Sequence, residues 1–229
     1  MKTLYISIII ALLLVSCRKE TITPKVKYDK VQNEVKVDTS KVGIADLPIH
    51  FEGSEVLVFP IGELTVGTMK KGSYESVKSN DDNLPNFKVS NSMENEITGY
   101  IRNIKFQVIG QDSLHALTDK LVLIENITFI KSKKAFVYTL SDKDTNQDAT
   151  IDLNDIKVLY VSDAFGTNFM KISPDLHEII DWKYEEATNK IFFRTLDDAN
   201  KNGQLDKADR VHYFYFGFKD KQAVEYKIM

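Results

Sequence analysis

The segment 179–218, IIDWKYEEATNKIFFRTLDDANKNGQLDKADRVHYFYFGF, decides the fold class of this chain. It contains three short runs rich in aromatic and β-branched residues, and a fourth run follows: Ile179–Glu185, Lys190–Leu196, Val211–Phe218 and Ala223–Ile228. Polar turn segments separate the runs, and helical periodicity is poor throughout, so the pattern predicts antiparallel β-strands. The segment therefore indicates an all-β protein.

The pattern recurs earlier in the chain. Residues 110–142 align with residues 166–198 at a constant offset of 56 without a gap, and Gly110 then meets Gly166 while Phe136 meets Phe192. The earlier unit predicts its own set of strands: Ile124–Ile130, Ala135–Leu140, Lys157–Ser162 and Phe169–Ser173. A third, less regular unit is expected from Val56–Ile61, Ile101–Ile109 and Leu114–Leu117. Repeats of this kind are typical of stacked β-sheet architectures.

Four antiparallel strands per repeat is the pattern of a propeller blade. The stretch LYVSDAFGTNFMKISPD (159–175), followed by IIDWKYEEATNKIFF (179–193), resembles the TolB-type β-propeller repeat. The resemblance implies four-stranded antiparallel blades over residues 46–229 and nothing catalytic. The length allows about three blades, so either the N-terminal region supplies a fourth, irregular sheet or the sheets form an open stack.

Two polar loops carry the most specific chemical pattern in the chain. Each lies between the second and third predicted strands of its unit, and each places oxygen-bearing side chains at loop positions 1, 3, 5, 9 and 12. Position 7 of such a loop supplies its backbone carbonyl, and an aliphatic residue at position 8 is expected to pack under the loop. The first loop offers Asp144, Asn146, Asp148, Thr150, Asp152 and Asp155; the second offers Asp198, Asn200, Asn202, Gln204, Asp206 and Asp209.

This spacing resembles the EF-hand loop, and more closely the dockerin variant that ends in Asp. The resemblance implies two Ca²⁺ sites, because a hard cation takes 6–8 oxygen ligands from a tightly coiled loop. The second site is the more certain, since the bend at position 6 favours a positive φ that Gly203 accepts freely and Ala149 does not. The flanking segments are predicted strands, so we expect structural ions. The alternative is a pair of polar turns without metal.

The N-terminus has the features of a secretory signal. Met1-Lys2 precedes an apolar stretch up to Val15, and the sequence LVSC (14–17) resembles the bacterial lipobox. The resemblance implies cleavage after residue 16 and a diacylglycerol on Cys17, the only cysteine of the chain. Residues 17–45 are expected to form a lipidated tether. Arg18 follows the cysteine, which by analogy with lipoprotein sorting favours the outer membrane.

Composition excludes several functional classes. The net charge of −3 argues against a nucleic-acid surface, which would be markedly basic. No phosphate-binding loop, nucleophile elbow or zinc signature occurs. Four scattered histidines show no metal-binding spacing and are expected to be surface or strand residues: His50, His115, His177 and His212. The sequence thus predicts a calcium-stabilised binding or scaffolding module for a protein or glycan partner, not an enzyme. The alternative is an envelope carbohydrate-active hydrolase with an unrecognised acidic pair.

Overall fold

A computed structural model describes residues 24–28, 34–36, 41–65, 87 and 89–228. The predicted signal peptide and Cys17 lie outside these residues. The described chain is all-β, with antiparallel strands and a single 3₁₀ turn at Lys131–Lys133. Within the described ranges, no helix has the length and apolar character that crossing a bilayer requires.

The described residues form fifteen strands. In chain order they are β1 (Lys41–Ala45), β2 (Ile49–His50), β3 (Val56–Thr65), β4 (Val89–Ser90), β5 (Glu96–Ile101), β6 (Asn103–Val108), β7 (Leu114–Ala116), β8 (Leu123–Ile130), β9 (Ala135–Ser141), β10 (Lys157–Asp163), β11 (Met170–Lys171), β12 (His177–Glu185), β13 (Lys190–Asp197), β14 (Arg210–Gly217) and β15 (Gln222–Glu225).

The strands form three antiparallel sheets. The first sheet has the order β1-β3-β6-β7 with β2 also paired to β3, the second has the order β11-β10-β9-β8-β5-β4, and the third has the order β12-β13-β14-β15. The blade pattern predicts four strands in each sheet. The sheets contain five, six and four strands. Within them, β8–β11 and β12–β15 each run as a meander of sequential neighbours, at the positions that the aligned segments predict.

The second sheet is the middle layer of the molecule. One core joins it to the first sheet, and a second core joins it to the third sheet. Strand β9 shows both contacts, because Phe136 and Tyr138 lie in the first core while Val137 lies in the second. Successive side chains of a strand point to opposite faces, so a strand buried on both faces is apolar at nearly every position, as AFVYTLS is.

A strand that changes sheets connects the first two layers. The expected strand Ile101–Ile109 is split at Arg102: residues before it belong to β5 in the second sheet, and residues after it belong to β6 in the first. The guanidinium of Arg102 donates to Glu63 Oε2 at 3.1 Å and to the carbonyl oxygen of Ile151 at 2.8 Å. Arg102, at the junction of β5 and β6, therefore also binds the first polar loop through Ile151.

Candidate functional site

The two polar loops occupy equivalent places in the second and third sheets. The first loop (144–155) connects β9 to β10, and the second loop (198–209) connects β13 to β14. Ile151 is buried, and Leu205 packs against the first core. Both residues hold position 8 of their loops, so each loop is attached to the body of the protein by the aliphatic side chain that the loop pattern predicts.

The loops share one hydrogen-bond pattern. The carboxylate at position 1 accepts from the backbone N–H groups at positions 5 and 6. In the first loop, Asp144 accepts from Asp148 at 3.1 Å and from Ala149 at 2.8 Å. In the second, Asp198 accepts from Asn202 at 3.1 Å and from Gly203 at 2.7 Å. The side-chain oxygens at positions 3, 5 and 9 also accept from the N–H two residues further on: Asn146, Asp148, Asp152, Asn200, Asn202 and Asp206.

The carboxylate at position 12 closes each loop. Asp155 accepts from the N–H of Asp152 at 2.8 Å and from that of Thr145 at 2.7 Å. Asp209 makes the matching bonds, to the N–H of Asp206 at 2.7 Å and to that of Ala199 at 3.1 Å. Burial raises the pKa of the Asp155 carboxyl to about 6, although these backbone donors favour its ionised form.

Both loops bend through the left-handed region at position 6. Gly203 has φ +82°, and Ala149 adopts the same conformation with φ +72°. An alanine in this region carries a steric cost of about 1–2 kcal/mol that glycine avoids. The sequence difference at position 6 therefore changes the strain in the loop and leaves its shape unchanged.

An N-terminal segment, residues 24–28, lies across both loops. The N–H groups of Lys25 and Val26 donate to the carbonyl oxygen of Gly203, and that of Lys27 donates to the carbonyl oxygen of Thr145. Tyr28 donates its hydroxyl to Asp198 Oδ2 at 3.0 Å. Residues 24–28 and the strand β1 both fall within the predicted tether of residues 17–45, yet they pack on the folded domain.

The two loops concentrate seven carboxylates, and the described basic groups contact them only at the backbone, where Lys25 Nζ donates to the carbonyl oxygen of Asp155 at 3.3 Å. Among the described residues, no lysine, arginine or histidine forms an ion pair with the carboxylates of either loop. The carboxylates are Asp144, Asp148, Asp152, Asp155, Asp198, Asp206 and Asp209. Oxygen-only donor sets of this kind suit hard cations such as Ca²⁺. The side chains are held by loop N–H groups, and no three of these carboxylates come within 4.8 Å of one another.

The third sheet carries an aromatic face on one side. We use this name for Phe192, Tyr213, Tyr215 and Tyr226, which are all half-buried and lie on the side of the sheet away from the second core. Tyr226 packs against the other three, with ring centroids 5.9–6.2 Å apart. Lys190 Nζ stands 3.7 Å from the centre of the Tyr215 ring. Beside these rings is an open depression of about 360 Å³.

His177 and His212, expected as surface or strand residues, both lie on strands of the third sheet. They meet on the inner face of the third sheet, with ring centroids 4.9 Å apart, and Asp197 lies beside them. Burial and the neighbouring His212 lower the pKa of His177. His50 and His115 lie elsewhere and contact backbone carbonyl oxygens.

A half-buried acid is a further feature that the sequence did not indicate. Glu125 lines an open depression of about 390 Å³ together with Ser90, Thr98, Gly99 and Tyr100. Its Oε1 atom is buried without a hydrogen-bond partner. Burial raises the pKa of this carboxyl, and Lys157 at 3.6 Å opposes the shift.

Comparison of the sequence with protein-family models and with curated proteins gives no match.

Proposed function

We propose that this protein is a calcium-stabilised lipoprotein of the cell envelope that binds a glycan through the aromatic face of the third sheet. In this proposal Cys17 carries the lipid anchor in the outer membrane, and the meanders β8–β11 and β12–β15 are propeller-like blades. Each of the two polar loops holds one Ca²⁺ ion and fixes the end of its blade. The protein acts by binding, not by catalysis.

The aromatic face is the observation that carries this proposal. Four half-buried rings on one side of a sheet form an apolar platform, because strands β13 and β14 hold three of them at fixed spacing and the N–H of Tyr226 donates to the carbonyl oxygen of Tyr213 at 2.9 Å. The C–H faces of sugar rings pack on such platforms, while hydroxyl groups bind at the polar rim. The rim here is supplied by the ion-paired Asp181 and Arg194 and by Lys190. Since Tyr and Trp combine an apolar body with a polar tip, they suit surfaces that bind amphipathic ligands.

The loops support a structural role for calcium. Their shared hydrogen-bond pattern ties the side-chain oxygens of positions 1, 3, 5, 9 and 12 to backbone N–H groups of the same loop. A divalent cation would relieve the repulsion among carboxylates that lack a basic partner in the described part of the chain. The residues that would hold it are those of the loop pattern, with the backbone carbonyls of Thr150 and Gln204 at position 7.

Affinity electrophoresis in gels containing soluble polysaccharides tests the glycan proposal. We expect retardation of the wild-type protein by at least one of a panel of starch, dextran, xylan, mannan and β-glucan. Tyr213→Ala and Tyr226→Ala should abolish that retardation. Phe165→Ala is the matched control, because it removes an exposed aromatic ring from another part of the molecule. Equal migration in every gel, or retardation unchanged in both tyrosine variants, would contradict the proposal and favour a protein partner.

Glu125 favours the alternative of a carbohydrate-active hydrolase. A carboxyl group with a raised pKa in a surface depression is suited to act as a general acid. Glycoside hydrolysis also requires a second carboxylate at about 5–10 Å from the first. Release of reducing sugar from the same polysaccharide panel, lost in Glu125→Gln, would favour this alternative over a binding module.

A further inference from the structure

The third sheet brings together a second kind of ligand set, distinct from the oxygen-only loops. His177, Asp197 and His212 come from three neighbouring strands, β12, β13 and β14. His177 is paired directly with Asp197, and His212 is paired with Thr195, two residues before Asp197 on the same face of β13. Because these strands are hydrogen-bonded to one another, the positions of the three side chains are fixed by the sheet.

The potential ligand atoms converge. One ring nitrogen from each histidine and one oxygen of Asp197 all lie within 4.8 Å of one another, and this is the only such group of His, Cys, Asp or Glu side chains in the described ranges. His212 Nε2 and Asp197 Oδ2 are 3.4 Å apart. In a tetrahedral zinc site, metal–ligand bonds of 2.0–2.2 Å separate neighbouring ligand atoms by about 3.3–3.6 Å.

Two atoms of the group are buried and unsatisfied. His212 Nε2 and Asp197 Oδ1 have no hydrogen-bond partner and almost no contact with solvent. Buried polar atoms in native proteins are nearly always paired, so each unpaired atom needs an explanation. A cation bound between the imidazole and the carboxylate satisfies both.

The outer nitrogens of the histidines are already oriented. His212 Nδ1 lies 2.7 Å from Glu225 Oε1, and His177 Nδ1 lies 3.0 Å from the hydroxyl of Thr195, which is fully buried. If each Nδ1–H donates to its partner, each Nε2 keeps a free lone pair. Histidine ligands of zinc commonly have their second nitrogen held in this way by a carboxylate or another acceptor.

We propose that His177, Asp197 and His212 form a binding site for a divalent transition-metal ion of the zinc type. Two imidazole nitrogens and one carboxylate oxygen are a donor set that suits Zn²⁺ better than Ca²⁺, which prefers oxygen alone. Three protein ligands leave a fourth tetrahedral position for water or an external ligand. The site lies beside the second loop, since Asp197 directly precedes Asp198, but the two donor sets share no residue.

Titration calorimetry with Zn²⁺, and absorption spectroscopy with Co²⁺, test this site. The chain without the predicted signal peptide is used with Cys17→Ala, so that no thiol competes, and in saturating Ca²⁺, so that the loops do not take up the probe. We expect one equivalent of Zn²⁺ to bind, and Co²⁺ to give the intense visible bands of a four-coordinate ion.

Variants identify the ligands. His177→Ala and His212→Ala should lose the binding, and Glu225→Gln should weaken it by about 10–100-fold through loss of the supporting carboxylate. His50→Ala, which removes a histidine from another part of the surface, should bind as the wild type does. Absence of the Co²⁺ bands in the wild-type protein would overturn the proposal regardless of how the variants fold. Binding that survives both His177→Ala and His212→Ala would also overturn it.

Discussion

The α-carbon of Gly203 lies so close to the carbonyl oxygen of Val26 that a Cβ on this residue would stand 2.5 Å from that oxygen. The N–H of Val26 in turn donates to the carbonyl oxygen of Gly203 at 3.2 Å. Gly203 also has φ +82°. Residue 203 therefore has to be glycine for two independent reasons. One is the left-handed bend of the second loop, and the other is the close contact of that loop with the 24–28 segment.

Gly203→Ala should destabilise the fold, and Ala149→Gly should stabilise it. The left-handed conformation alone costs alanine about 1–2 kcal/mol, and at residue 203 the new methyl group must also displace Val26. At residue 149 the same strain is already present and is removed by glycine, with a net gain of up to about 1 kcal/mol after the greater chain entropy of glycine is counted. Urea unfolding of both variants measures the changes. Equal stability of Gly203→Ala and the wild type would contradict the packing argument.

Glu125→Gln should stabilise the protein at neutral pH and lose this advantage in acid. The pKa of Glu125 is raised in the folded state above its ordinary value of about 4.3, so the folded state binds the proton more tightly than the unfolded state does. In the wild type, protonation of Glu125 therefore stabilises the folded state. This stabilisation is complete below about pH 4 and is lost as the pH rises through the raised pKa. Loss of the ion pair between Glu125 and Lys157 reduces the stabilisation by Glu125→Gln only weakly, since this ion pair is partly exposed.

Thermal unfolding of wild type and Glu125→Gln between pH 4 and pH 8 measures this difference. Glu55→Gln is the matched control, because Glu55 is exposed and the hydrogen bond and charge of Lys134 lower its pKa. A difference between wild type and Glu125→Gln that does not vary with pH would contradict the assignment.

Cys17→Ala should move the protein from the membrane to the soluble fraction. The predicted anchor holds the chain by acyl groups, and each buried methylene contributes about 0.8 kcal/mol to membrane binding. Metabolic labelling with a radioactive fatty acid, followed by fractionation, measures both consequences. Labelling that persists in the variant would rule out Cys17 as the acylated residue.

Strands β8–β15 were predictable because their signals are local. Runs such as KIFFRTL are apolar, β-branched or aromatic and end at polar turns, and β13 begins and ends within one residue of the prediction. The pattern of each polar loop is also local, since all of its oxygen-bearing positions lie within twelve consecutive residues. Strand β5 was not predicted, because EITGYI carries a weak pattern and its place is set by pairing with the distant β8.

The histidine cluster could not be read from the sequence for a related reason. His177, Asp197 and His212 have no common spacing, and they meet only because β12, β13 and β14 are adjacent in one register. The aromatic face depends on the same information, since residues of β13, of β14 and of the segment after β15 must be assigned to one side of the sheet. Residues 24–28 looked like linker because their contacts are made with loops more than a hundred residues away.

Calcium should stabilise the fold, and the second loop should contribute more than the first. An ion that binds only the folded state adds RT ln(1 + [Ca²⁺]/Kd) to the free energy of unfolding. At about 2 mM calcium and a Kd of roughly 10⁻⁴ M, the gain is about 1.8 kcal/mol per site. Gly203 holds the bend of the second loop without strain, whereas Ala149 in the first loop does not.

The measurement is thermal unfolding with calcium and with a chelator, for the wild type, Asp144→Ala and Asp198→Ala. Each variant should lose part of the calcium response, and Asp198→Ala should lose the larger part. Because the 24–28 segment contacts both loops, the two losses should also be coupled, and the double variant should differ from the sum of the single variants. Melting that is unchanged by the chelator would contradict calcium binding. A larger loss of the calcium response in Asp144→Ala would support both sites and reverse the order of their affinities. That result is expected if the fourth carboxylate of the first loop contributes more to calcium affinity than the strain at Ala149 removes.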